Sequence, residues 1–200
     1  ANTDQKAVAR MTSRVLLDLT GRKTEKQAWD ALFRNFNETR KLGSSGYRKG
    51  EKIAIKIHAN QARGPEWGVG RRPLNGLPSP HAVAALIHQL IEVAGVPGED
   101  VLLFEVAQGR NIGAPVYHKI RAESSREFQA VRFLVSNDYG LGDRLRPTPD
   151  MSNPRRFSRP EVPVAYLPQQ VTAAKYMINM ALLRPHGMAG VTLGAKNHFG

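Results

Sequence analysis

The sequence predicts an α/β fold, a mostly parallel sheet with helices on both faces, preceded by two N-terminal helices. Three observations lead there. Beyond residue 50, short apolar runs (52–59, 100–107, 130–136, 175–183) alternate with helical patterns (79–95, 114–124). That alternation is how parallel sheets are built and covered. The first run, KIAIKIHA, has strict period-two character, with Ile53, Ile55, Ile57 and Ala59 on one face and Ala54, Lys56, His58 and Asn60 on the other. Finally, 200 residues at 41% hydrophobic and 23% charged suit a globular domain that buries a core without metals or disulfides.

Each element has a local cause. Thr3 or Asp4 can cap a first helix whose apolar positions, Val8, Met11, Val15, Leu16 and Leu19, recur at helical spacing up to Gly21. Thr24 and Gln27 fit a capping box for a second helix bearing Ala28, Trp29, Leu32, Phe33 and Phe36. Residues 1–50 therefore read as a helical section, and 51–200 as the α/β domain. Ser79-Pro80 opens the next helix, with serine as cap and proline in the first turn, and Gly95 closes it. The segment 137–169 shows no periodicity and holds six prolines and five arginines, so it reads as a long Arg/Pro-rich loop serving as a lid or a partner-binding arm. The run from Tyr176 to Leu183 suits a buried strand.

Right-handed crossovers put the loops after all four strands on one carboxyl edge. Ligands of such Rossmann-like sheets bind at that edge, near a switch in strand order. Asn60, Arg71, Arg72, Arg110, Asn111, His186, Lys196 and Asn197 are thereby gathered at one cleft.

The formal net charge is +12, and residues 1–50 carry 11 Lys/Arg against 5 Asp/Glu. Such a balance favours anionic partners. Nucleic acid is not expected, because aromatic residues are too few among the basic ones to stack bases. With no cysteine, the chain has no disulfide, thiolate metal site or cysteine-ligated iron–sulfur cluster of its own. No apolar stretch approaches the roughly 20 residues that span a bilayer. Neither GxSxG nor a P-loop occurs. His81 and His88, seven apart, read as solvent-exposed. A metal would require His58, His186 and His198 to converge with Glu105, and no metal is expected.

The chemistry concentrates near residue 200. An apolar run ends in Arg184-Pro185-His186-Gly187, and a glycine-punctuated segment follows with Thr192, Lys196, Asn197 and His198. From Ile178-Asn179 to Gly200 it resembles the signature IN-x-x-x-x-K-x-H-x-x-x-G-x-T-x-x-x-KN-x-x-G of domain of unknown function 362, with Arg184 in place of the usual lysine. The resemblance extends to Lys56, in a stretch that family members write IK-x-N, where this chain has His58 and then Asn60. The opening section, from Val8 through Gly50, looks like a subgroup of the family whose members often carry a twin-arginine export signal, which implies a periplasmic or otherwise exported protein. Members continue past the terminal motif, so the chain is expected to cover only the N-terminal part of the family domain.

The function expected is binding of an anionic small ligand at the carboxyl edge, possible chemistry being redox-linked; the cofactor stays unknown. Lys56, Asn60, Arg184, Thr192 and Asn197 are the candidate ligand-binding residues. His58, His186 and Lys196 are the candidates for catalysis. Fusion of some members to iron–sulfur modules implies a protein partner for redox work, either an iron–sulfur protein or the remainder of the same protein. The competing expectation is a structural or interaction subunit that docks through its basic surfaces.

Overall fold

A computed structural model gives the structure, which describes residues 3–59, 78–106, 114–136, 144–187 and 190–199, the side chains of Arg184, Lys196 and Phe199 excepted. Helix α1 (Gln5–Thr20) starts where the Asp4 carboxylate accepts the Lys6 and Ala7 N–H groups, and it stops at Gly21, which takes the left-handed conformation at φ 63°. The Thr24 hydroxyl caps α2 (Glu25–Thr39). Strand β1 (Ile53–Ile57) is followed by α3 (Pro80–His88), capped by Ser79 and prolonged by a π-helical turn, Gln89–Val93. Next come β2 (Val101–Glu105), α4 (Ala114–Arg121), α5 (Arg126–Ala130) and β3 (Arg132–Val135). Strands β4 (Pro149–Arg155) and β5 (Ala165–Pro168) pair antiparallel, and α6 (Gln169–Thr172) leads into β6 (Tyr176–Met180). A small hairpin of β7 (Arg184–His186) and β8 (Gly190–Thr192) precedes a 3₁₀ turn, Ala195–Phe199.

The sheet runs β3-β2-β1-β6 with every pair parallel, so the four strands do empty onto one edge. Its first face carries Ile53, Ile55, Ile57, Val101, Leu103, Phe133 and Val135, and all of α1 to α5 contribute to the core on that side. The second face carries Ala54, Leu102, Phe104 and Leu134, covered more thinly by Leu145, by Val171 of α6 and by Ala174. Strand β1, lined on both faces, is buried at all five residues.

The π-helical turn has a specific use. It aims Gln89 so that its carbonyl accepts from Trp29 Nε1 at 3.2 Å while its amide donates to Ser13 Oγ at 3.2 Å and Glu25 Oε1 at 3.0 Å, joining three helices. At the amino edge of the sheet, Asp100 (1% exposed) accepts from Tyr47 Oη at 2.6 Å, from Gly50 N–H at 2.7 Å and from Lys52. Glu51 accepts from Lys175 Nζ at 2.6 Å and Tyr176 Oη at 3.0 Å. Burial is the largest single influence on both carboxyls and pushes them up; these donors together outweigh it and hold both below the usual carboxylate range. Burial, followed by the bond to Asp100, drives the Tyr47 phenol well above its ordinary value. The 39–52 connector is thereby locked onto the sheet, on the edge opposite the predicted cleft.

Four expectations need correction. Of the α1 stripe only Leu16 is buried; Met11, Val15 and Leu19 are 67%, 64% and 70% exposed. The helix lies at the margin of the fold and turns in the face of Gln5, Ser13 and Leu16, which sits about a third of a turn round from the 11-15-19 row. The segment 137–169 is not loop throughout, since it contains the β4–β5 ribbon. The last apolar run is an edge strand rather than a buried one: with β6 paired to β1 alone among the described strands, Met177 is 43% exposed, and Leu183 lies beyond its end. Finally, His88 is not simply solvated. Its ring packs at a tilt of 49° against that of Phe128, with centroids 4.4 Å apart, and its nitrogens lie 3.1 Å from Glu92 and 3.2 Å from Glu123.

Candidate functional site

Strand order reverses at β1. The chain proceeds from β1 to β2 to β3 on one side, then returns to place β6 on the other. The crevice between the carboxyl ends of β1 and β6 is therefore the switch point of the sheet. Parallel register seats Lys56 between Phe104 of β2 and Asn179 of β6. Period-two alternation turns Lys56 away from the helix-covered face, onto the more thinly covered one.

Lys56 is 4% exposed there, and its ammonium donates to Glu105 Oε2 at 3.0 Å, to the Ile57 carbonyl at 3.0 Å and, at a longer 3.5 Å, to Asn197 Oδ1. Its three protons thus have three acceptors inside the protein. Glu105, 1% exposed, also accepts the Ala59 N–H at 3.2 Å, so the pair fixes the backbone as β1 turns into its loop. The Phe104 ring lies 6.0 Å from the ammonium.

The 3₁₀ turn closes over this pair. Asn197, 1% exposed, donates from Nδ2 to the Lys56 carbonyl at 3.2 Å and to Asn179 Oδ1 at 2.7 Å. Asn179 in turn donates to the Gly194 carbonyl at 2.8 Å. Residues from two strands and the terminal turn thus form one hydrogen-bonded clasp.

Among the predicted site residues, Lys56 and Asn197 are in direct contact. His58, buried, directly follows the end of β1. Thr192 is buried on β8, and His186, half-buried on β7, is paired in register with Gly190. Arg184 and Lys196 are placed by their backbones, in β7 and in the 3₁₀ turn. Asn60, like Arg71, Arg72, Arg110 and Asn111, lies outside the described residues. Among those described, no three His, Asp or Glu side chains gather as a metal would require.

Sequence reasoning missed two members of the network. Glu105 entered only as a carboxylate that a metal might recruit, and Asn179 only as part of a motif. Register could have found Asn179, which pairs with Lys56, and would have brought Glu105 within one residue of it. Once β1 is flanked by β2 and β6 in parallel, residues at the carboxyl ends of all three strands must meet.

Comparison with known proteins agrees with this reading of the terminal segment. The sequence matches the family described as Domain of unknown function (DUF362) over residues 53–200, starting at the first residue of β1 and leaving the two N-terminal helices outside. No curated protein and no solved structure matches it.

Proposed function

The chain belongs to this family, whose description leaves the reaction open, and from that premise we propose that the protein binds an anionic small molecule at the carboxyl edge of its sheet, above the β1–β6 crevice. One observation carries the proposal: the buried Lys56–Glu105 pair stands at the switch point, held by the clasp. Two charges withdrawn from water cost more than an apolar pair of the same volume, and replacing such pairs by packed hydrophobic residues is often neutral or stabilising. Stability alone therefore gives no reason for a charged pair there, whereas a site that needs a fixed polar floor does.

Because the ammonium is saturated, Lys56 and Glu105 serve as positioning residues. Asn197 and Asn179 hold the terminal turn against them. The ligand's charge is met by Arg184 and Lys196, its hydrogen bonds by Asn60 and Thr192, and proton transfer falls to His58 or His186. Two cations and backbone N–H groups of a glycine-punctuated turn are a chemistry suited to phosphate or carboxylate.

Thermal denaturation with inorganic phosphate, a nucleoside monophosphate and a dicarboxylate tests this. An anion at about 100 times its Kd stabilises by about 2.7 kcal/mol, or roughly 5–11 °C in Tm at this chain length. The shift should vanish in Lys196→Met and Arg184→Met variants whose own Tm is unchanged. A shift that survives both variants, or no shift with any of the three anions, overturns the reading.

A further inference from the structure

The cleft leaves the β4–β5 ribbon without a role, and the ribbon carries an inference independent of the ligand reading. From Met151 to Leu167 every residue but Asn153 is exposed. The exposed side chains include Met151 (65%), Phe157 (52%), Val162, Val164, Tyr166 and Leu167. A two-stranded ribbon is marginal in water by itself, and among the described residues this one is braced at its root. There Gln169 N–H donates to the Thr148 carbonyl at 2.7 Å, Thr172 Oγ1 to Asp150 Oδ2 at 2.7 Å, and Gln170 Nε2 to the Arg146 carbonyl at 2.9 Å. Beyond the root stand Arg155, Arg156 and Arg159, whose side chains make no hydrogen bond or ion pair with any described residue.

The composition is also selective. No lysine occurs between Lys119 and Lys175, so every cation of the ribbon is an arginine. Exposed Arg, Met, Phe and Tyr without Lys is the make-up of a protein–protein interface, where guanidinium forks and amphipathic rings lose little on desolvation. Prolines 149, 154 and 168 within the strands, and 160 and 163 between them, remove backbone donors. The edges are thus closed to an added strand, and docking must use side chains.

We propose that the β4–β5 ribbon is a docking arm for another protein that presents an acidic patch around an apolar centre. Three exposed guanidiniums without a hydrogen bond or ion pair among the described residues ask for carboxylates, while six exposed apolar side chains would gain nothing from a phosphate backbone. A second copy of this chain, itself at +12 and bearing the same arginines, is repelled rather than attracted.

A photo-crosslinking residue placed at Phe157, and separately at Tyr166, in the full chain within its own cells tests the arm. The expected product is a link to one other protein at a peptide rich in Asp and Glu. Charge reversal by Arg155→Glu, Arg156→Glu and Arg159→Glu together should cut the yield about 30-fold or more, with the circular dichroism spectrum and Tm unchanged. Four results overturn the proposal: links to nucleic acid, links to a second copy, links within the chain, or a yield no higher than from exposed Arg10. Indifference to charge reversal overturns it as well. None of these results depends on whether the cleft binds an anion.

Discussion

Replacing Lys56 by methionine removes an ammonium from a site where it is 4% exposed and leaves a carboxylate, Glu105, that is 1% exposed. The methionine fills much of the volume of the lysine stem, so packing changes little. Electrostatics dominates, and stranding one member of a buried pair costs about 3–5 kcal/mol. For a chain of this length that corresponds to a fall in Tm of roughly 6–20 °C. Removing both charges, as Lys56→Met with Glu105→Leu, strands none. What is then lost is one partner each for the Ala59 N–H, the Ile57 carbonyl and Asn197 Oδ1, at about 1 kcal/mol each. The double variant is therefore predicted to cost about 3 kcal/mol, no more than either single change and well below their sum. Urea unfolding followed by far-ultraviolet circular dichroism and by the fluorescence of buried Trp29 measures all three as one double-mutant cycle. A Lys56→Met cost under about 1 kcal/mol, or a double variant that merely sums the singles, would refute the buried-pair argument.

Two further outcomes follow from other parts of the molecule. Asp100 and Glu51 have folded pKa values below the usual carboxylate range, so the unfolded chain binds more protons there. Their stabilising contribution is complete above the ordinary carboxylate pKa, near about 4, and is lost as pH falls through that value and the depressed folded ones. Tm measured from pH 7 to pH 3 should fall steeply for the natural protein; Asp100→Asn with Glu51→Gln should start lower and fall less. On α1, Leu16→Ala should cost about 2–3 kcal/mol, whereas Leu19→Lys, at a position 70% exposed, should stay within about 0.5 kcal/mol. Chemical denaturation distinguishes the two, and a costly Leu19→Lys would put the apolar row back in the core.

Those contrasts show what the sequence could and could not disclose. The parallel sheet was legible because short β-branched runs, such as that around Ile53, Ile55 and Ile57, were separated by helices with clear caps at Thr24 and Ser79. Burial of those elements was less legible. Period tells that α1 has an apolar row, but which side of a marginal helix turns inward depends on neighbours such as Ser13 and Gln89, far apart in sequence. Likewise, Tyr176–Met180 has the composition of a central strand and becomes an edge only through strand order. The β4–β5 ribbon escaped because its prolines mask strand periodicity. In the site, Lys56 and Asn197 were identifiable as polar groups at strand and motif ends. Glu105 emerged as the counter-ion only in the folded structure, because register sets Phe104 beside Lys56 and leaves Glu105 one residue further on.

The clasp also has a consequence in time. Lys56 and Asn197 are 141 positions apart, and β1 acquires its second neighbour only when Tyr176 reaches Ile53. Contacts of such long range form after nearby ones, since the intervening chain must be ordered first. During synthesis β1, β2 and β3 can assemble while β1 still presents an unpaired apolar border, a surface prone to capture by other nascent chains. Docking of β6 ends that exposure, and the same event carries the terminal turn onto Lys56. Protection from aggregation and completion of the carboxyl-edge crevice are thus a single late step, and any ligand that requires the closed clasp selects only molecules in which β6 has docked.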